Sequence, residues 1–337
     1  MSKDPASVAS LGELATLTET PYWYLRSIVE RRTDPYMSLQ RAKRGGGVRP
    51  ISAPEPPLMH VQRWILHNVL DGLDEHSASY AYRRGRSIAH CAKAHVGARW
   101  LVKMDIHNFF GTVTEQRVYK VFRDLGYERL ISLEMARLCT REEMKSSTRA
   151  PGFRYTAVPS YVSGTIGVLP QGAPTSGALA NAVATRIDRA LSGLLGDRGI
   201  TYTRYSDDLT FSTRDGFDRV RASDLISQVT GVVQSCGFQV HKKKTHVVPP
   251  GARHVVLGLL VTENNVRLLP EIRRRIEQHV RGVEGFGVRH HADHRGFDDP
   301  SAMIGYVGGC LSFALSVDPD WAAPMYRRWM KALSAPW

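Results

Sequence analysis

Residues 201–212, TYTRYSDDLTFS, constrain this chain more than any other stretch. Aromatic, β-branched and hydroxyl side chains flank a short polar centre on both sides, which is the composition of two strands meeting at a turn. Such a hairpin carries two adjacent carboxylates, Asp207 and Asp208, at its tip. Neighbouring carboxylates repel one another unless a cation holds them, so the pair points to a hard divalent metal and to half of a two-metal phosphoryl-transfer site. Asp and Ser are also ordinary turn residues, and by itself the stretch fits an Asp-rich turn equally well.

Three further segments tip that balance. In Trp100-Leu101-Val102-Lys103-Met104-Asp105-Ile106, an apolar run of strand length ends on a carboxylate. A carboxylate there is costly unless it is paired or binds metal. Alone, Asp105 reads as the N-cap of a helix through His107, Asn108 and Phe109; beside the hairpin it reads as the third ligand, from a neighbouring strand. In Leu169-Pro170-Gln171-Gly172-Ala173-Pro174-Thr175-Ser176-Gly177, small residues open a helix-compatible run over 178–195, where a backbone or ligand can approach closely. Between Arg41 and Ile51, basic residues bracket Gly45-Gly46-Gly47, either a solvated loop or a basic finger over a nucleotide triphosphate; no P-loop lysine pattern occurs.

Read in order, Arg49-Pro50-Ile51-Ser52-Ala53-Pro54, Lys103 through Phe110, LPQGAPTSG at 169–177, YSDD at 205–208, GFQVHKKKTH at 237–246 and HVVLGLL at 254–260 resemble the reverse transcriptases, and most of all the bacterial retron-type enzymes. The resemblance spans roughly residues 40–265. It implies an α+β right-hand polymerase fold with fingers, an antiparallel palm and a helical thumb: an N-terminal helical extension over 1–40, fingers and palm over 41–265, and thumb over 266–337. It implies RNA-directed DNA synthesis, with Asp105, Asp207, Asp208 and the Ile106 backbone around two Mg²⁺ ions, for which Mn²⁺ can substitute. Phe110 is then the gate under the incoming sugar, Arg49 and Gln171 contact the nucleotide, and Lys244 serves the pyrophosphate. Lys43, Arg44, His95, Lys242, Lys243, Arg273 and Arg274 become the nucleic-acid contacts. The implied partners are a structured noncoding RNA and its DNA copy, deoxynucleotide triphosphates, an effector protein in phage defence and a host ribonuclease that removes the template. Two positions depart from the retron pattern. Cys91 stands where Asn is typical before Ala92-x-x-His95, and Leu257 stands where Thr is typical before Gly258.

Charge agrees with this reading. Lys and Arg number 45 against 32 acidic residues, a net charge of +13 that favours a polyanionic partner. The four cysteines are scattered, without zinc or disulfide spacing. Met1–Ser10 lacks the apolar core of a signal peptide, and the longest aliphatic run, near Val255–Val261, is too short to span a bilayer, so a cytoplasmic protein without membrane contact is expected. Periodicity predicts helices within 1–40, at 58–74, 114–145, 217–236, 271–283, 300–314 and 320–334, a hairpin over Tyr155–Val168 and a strand over His254–Val261. Tyr22, Trp23 and Tyr24 read as core. Residues 285–299, with His290, His291 and His294, read as a solvated loop. The competing classes are a non-catalytic RNA-binding module, a palm-domain nucleotide cyclase, and an intron-like, diversity-generating or other bacterial reverse transcriptase.

Overall fold

The computed structural model describes residues 6–42, 46–142, 158–161, 165–196, 198–214 and 216–334. Helices α1 (Leu11–Leu17) and α2 (Tyr22–Val29) come first, with Leu11, Leu14, Leu25 and Ile28 buried at the expected spacings. Ser10 caps α1 by accepting from the Glu13 amide. The aromatic trio does not stay together: Trp23 is 70% exposed and Tyr22 points outward, while Tyr24 is half-buried. Successive helical residues point about 100° apart, so one apolar face cannot hold all three.

The helical extension stops short of residue 40. Pro35 precedes strand β1 (Tyr36–Ala42), which pairs antiparallel with β2 (Val48–Pro54) from Tyr36↔Pro54 to Ala42↔Val48. Lys43 and Arg44, between these two strands in sequence, lie outside the described residues. Helix α3 (Pro56–Asn68) buries Leu58, Val61 and Ile65, and ends six residues before the predicted boundary. Then come α4 (Ile88–Lys93), β3 (Trp100–Asp105), the short α5 (Phe109–Thr112), α6 (Glu115–Asp124) and α7 (Arg129–Cys139). Two-residue strands β4 (Arg141–Glu142) and β5 (Gly167–Val168) pair antiparallel; most of the hairpin expected over 155–168 falls outside the described residues.

Helix α8 (Ser176–Leu195), β6 (Ile200–Tyr205), β7 (Asp208–Thr213), α9 (Arg219–Ser235) and β8 (His246–Val248) complete the palm. Its sheet runs β6-β7-β3-β8, antiparallel throughout. The period of two sorts its faces. Val102, Met104, Leu209 and Phe211 enter one core with Leu179, Ala184, Ile187 and Leu191 of α8 and Leu225 and Val229 of α9. On the other face, Asp105, Lys103 and Leu101 lie directly across from Asp208, Thr210 and Ser212.

The strand predicted over 254–261 is a hairpin instead. Strands β9 (Val255–Val256) and β10 (Leu259–Val261) pair across a turn whose central residues, Leu257 and Gly258, have φ of +50° and +80°. Two left-handed residues are what a two-residue hairpin turn demands. Strand β11 (Val266–Leu268) adds to β10, and helices α10 (Pro270–Phe286), α11 (Val288–His294), α12 (Pro300–Val317) and α13 (Pro319–Leu333) follow. Val256, Leu259, Leu268, Val280, Val307, Leu311 and Trp329 form a second core there.

Two expectations for this region change. Residues 288–294 are helix α11, not loop, with His291 buried against α10, where a Cβ on Gly282 would lie only 2.2 Å from the His291 ring. Helix α12 is, by length and composition, long and apolar enough to cross a membrane. Glycines and serines interrupt its aliphatic residues, which hid it from a search for aliphatic runs. In the fold, Met303, Val307, Leu311, Ala314 and Val317 on one of its faces fill the second core.

Candidate active site

The three aspartates converge at one end of the palm sheet. Asp105, last residue of β3, is the register partner of Asp208, first residue of β7. Directly opposed residues place their Cβ atoms about 4.5–5.5 Å apart. The turn from β6 to β7 consists of Ser206 and Asp207, with Ser206 at φ +59°. The Asp207 carbonyl accepts from the Ile106 amide at 2.9 Å, which ties this turn to the end of β3. Ile106 itself is buried and bridges to Val240.

These carboxylates crowd one another. Asp105 is buried and accepts from Lys244 Nζ at 2.7 Å. Burial first, then repulsion from Asp207 and Asp105, pushes the Asp208 carboxyl up to about 6. Asp207 is also raised, by burial first and then by Asp105, against the pull of Lys244. The hydrogen bond to Asp105 raises Lys244 in turn, against a smaller cost of burial. Among the described residues, no three His, Cys, Asp or Glu side chains are gathered tightly enough to ligate one ion as they stand. The Asp105 carboxylate is held by an ammonium instead. A group of hard oxygen donors in which burial and mutual repulsion raise Asp207 and Asp208 nevertheless fits a divalent cation, which would supply positive charge there.

Beneath the hairpin lies a fully satisfied polar anchor that the sequence reading missed. Arg204, one residue before Tyr205, is wholly buried. It donates to both carboxylate oxygens of Asp188 on α8 at 2.8 and 2.7 Å, to Asn181 Oδ1 at 2.9 Å, to Ser79 Oγ at 3.1 Å and to the Ser206 carbonyl at 3.2 Å. Tyr202 adds a bond from its hydroxyl to Asp188 at 2.8 Å, and Asn181 donates to the Ala81 carbonyl at 2.7 Å. Arg204 therefore fixes the turn residue Ser206 to α8. One signal was legible: strand alternation points Arg204 into the core beside Ile200 and Tyr202, where an arginine needs an acid.

Above the carboxylates, Phe110 lies edge-on to Tyr82, ring centroids 6.2 Å apart, and Tyr82 bonds Ser206 Oγ through its hydroxyl at 3.1 Å. Gly177 explains the close approach of Tyr82, because a Cβ there would sit 2.5 Å from its ring. The Gln171 turn is strapped to the finger hairpin: the Ser52 amide donates to the Gln171 carbonyl at 2.7 Å, and Gly172, at φ +125°, leaves no room for a Cβ against Ile51. Arg49, on β2, is exposed and close enough to act on the Tyr82 hydroxyl by its charge. Lys244 thus touches the carboxylates directly, and Phe110 and Arg49 connect to the Ser206 turn through Tyr82.

The expected nucleic-acid residues divide. Lys242 and Lys243 are exposed on a 3₁₀ turn, and Arg274 is exposed on α10. Arg273 is not free for phosphate: it pairs with Asp318 and lies over the Trp321 ring at 5.3 Å. His95 is not a surface contact either. It is 1% exposed, and its two ring nitrogens meet Ser212 Oγ and Thr203 Oγ1, each at 2.7 Å. It bridges β6 and β7 on the palm face that α4 covers, and burial lowers it to about 4. Cys91 points to the same place, its thiol 3.3 Å from Thr203 Oγ1.

A four-stranded antiparallel palm with three carboxylates at one end, beneath a finger hairpin and joined to a helical bundle, defines the polymerase class. Residues 41–269 match the family model described as reverse transcriptase (RNA-dependent DNA polymerase), and the chain belongs to that family, in its retron-type branch. It is 32% identical over 271 residues to the Retron Ec86 reverse transcriptase of Escherichia coli, covering 80% of this chain and 72% of that one. It is 40% identical over 233 residues to the Retron Mx162 reverse transcriptase of Myxococcus xanthus, covering 67% of this chain and 47% of that one. With the Retron Mx65 reverse transcriptase of the same organism it shares 34% over 304 residues, or 88% of this chain and 65% of that one. Among solved structures, a telomerase from Candida albicans in complex with a fragment of telomeric RNA is similar over 98% of this chain and 62% of that one, at a TM-score of 0.47 and 12% identity.

Proposed function

We propose that this chain extends a DNA strand along an RNA template, with Mg²⁺ ions held by Asp105, Asp207 and Asp208 beside the Ile106 backbone. The observation that carries the reading is the register: Asp105 directly opposite Asp208, with the intervening Asp207 tied to Ile106. When bound, the ions lower the pKa of the primer hydroxyl and neutralise charge on the departing pyrophosphate. The protein's own groups do the positioning. Asp105 and Asp207 hold the cations where primer and triphosphate meet. Arg49 contacts the phosphates and Gln171 the nucleotide, brought together because β2 and the Gln171 turn share a hydrogen bond. Phe110, backed by Tyr82, closes the sugar side against a 2′-hydroxyl. Lys244, bonded to Asp105 at 2.7 Å, would be free to neutralise or protonate pyrophosphate once that carboxylate held a cation.

The retron likeness supports a finer reading. The template is a structured noncoding RNA, synthesis starts from an internal 2′-hydroxyl, and the product is DNA joined to RNA, made alongside an effector in phage defence and trimmed by a host ribonuclease. Exposed Lys242, Lys243 and Arg274 are the candidate phosphate contacts, together with Lys43 and Arg44 in the sequence between β1 and β2.

Primer extension on a primed RNA with deoxynucleotides and Mg²⁺ tests the chemistry. Asp207→Asn is expected to lower extension at least about 1,000-fold, the scale of losing a charge-stabilising group in the transition state; undiminished extension ends the reading. Sequencing the nucleic acid that copurifies with the chain tests the finer claim, which predicts a branched RNA–DNA product.

A further inference from the structure

A cavity of about 330 Å³ opens in the thumb, lined by Arg275 and His279 of α10, His294 of α11, Arg295 and Phe297 of the following turn, and Tyr306 of α12. Its volume lies at the small end of ligand sites. The chemistry of its wall is unbalanced. Arg273 and Arg328 nearby pair with Asp318 and Glu284. Arg275 and Arg295 have no carboxylate partner among the described residues, and no acid lines the cavity. Both guanidiniums act on the same buried imidazole: burial first, then Arg295, His291 and Arg275, lowers His279 to about 4. Two cations held around a neutral ring form a site that an anion completes. The opposite wall is aromatic, with Phe297 and Tyr306 centroids 5.7 Å apart and each ring within 6.0 Å of His279.

We propose that this cavity takes one unpaired nucleotide of a bound RNA, its phosphate between Arg275 and Arg295 and its base against Tyr306 and Phe297. The inference rests on the RNA-copying reading above and adds a second contact on the thumb. Aromatic faces receive any base, and the arginine fork suits phosphate. A strand fits better than a free triphosphate for two reasons. A metal-bound triphosphate needs carboxylates that the wall lacks. And Tyr306 shares one face of α12 with Ala302, Gly309 and Phe313, which follow helical spacing and are exposed and uncharged, so a chain leaving the cavity has a neutral surface to follow. At Gly309 nothing lies within 4 Å of where a Cβ would stand, so a sugar-phosphate backbone can lie close.

The test uses the full chain and two RNA hairpins with one stem, one fully paired and one carrying a single bulged adenosine, scored by fluorescence anisotropy. The bulge is expected to tighten binding about tenfold, and Arg295→Gln or Arg275→Gln to remove most of that gain, as losing a charge-assisted phosphate bond should. Tyr306→Leu, which leaves both cations in place, is expected to lose a similar share through stacking. Equal affinity for the two hairpins, or a bulge preference that survives all three substitutions, overturns the proposal. So does full displacement of the bulged hairpin by adenosine monophosphate, which would make the cavity a free-nucleotide site. All three variants are expected to keep extension of oligo(dT) on poly(rA). If the unaltered chain fails to extend that primer, the polymerase reading fails, while the bulge comparison is still scored by binding alone.

Discussion

The two faces of the palm sheet treat negative charge in opposite ways. On the inner face, Asp188 is wholly buried, and its oxygens are taken by Arg204 and Tyr202. On the open face, Asp208 stands across from Asp105 and beside Asp207, with two ammoniums, of Lys244 and Lys103, to offset the three. A buried acid with all its partners present is part of the framework. A group of acids short of positive charge is a place for a ligand. The thumb cavity repeats the second pattern with the sign reversed, two guanidiniums around a ring that burial keeps neutral.

The inner face offers the sharpest way to break this contrast. Arg204→Met leaves Asp188 buried without its cation, and is expected to cost about 3–5 kcal/mol of stability, read by chemical denaturation. It also frees Ser206 and the turn that carries Asp207, so extension should fall about 100-fold or more in the fraction that remains folded, the cost of misplacing a reacting group by about an ångström. Full activity in a folded Arg204→Met protein would show that the anchor does not position the turn.

The open face should respond in the opposite direction. Asp208 is raised from 3.8 to about 6, so the folded state holds its proton more tightly than the unfolded chain does. That contribution to stability is complete below about pH 4 and is lost as pH rises through 6. At pH 7 without divalent metal, Asp208→Asn should therefore stabilise the protein, by on the order of 1–2 kcal/mol. Mg²⁺ should raise the melting temperature of the unaltered chain more at pH 7 than at pH 5. A destabilised Asp208→Asn, or a Mg²⁺ effect independent of pH, would contradict the charge excess. A stability effect with no effect on RNA binding is expected at His95. His95→Ala removes the bridge between β6 and β7 and should cost about 1–3 kcal/mol, with affinity for RNA unchanged. Weakened RNA binding at equal stability would restore the surface role first expected of it.

What could be read from the chain follows from how local the signals are. Asp105, Asp207 and Asp208 were legible because each sits where a strand pattern ends, and the finger, palm and turn segments come in a family order. The Arg204–Asp188 anchor was not, because its partners are 16 residues apart and meet only when α8 packs on β6. His95 was assigned by its motif, and only the fold shows that both ring nitrogens are used inside the palm. Residues 285–299 looked like a loop because glycines and charges dominate, yet 288–294 is a helix whose His291 ring packs against α10 where Gly282 has no side chain. The hairpin at Leu257 was hidden because a leucine there gives no turn signal, although the bond takes a left-handed φ.

The most direct measurement of the central claim is a count of bound metal. Electron paramagnetic resonance of Mn²⁺ with the chain, a primed RNA whose primer ends in a dideoxynucleotide, and the next deoxynucleotide triphosphate should show two ions per complex, fewer in Asp105→Asn and Asp207→Asn. A count that is zero in the unaltered chain, or unchanged in both variants, would contradict the account.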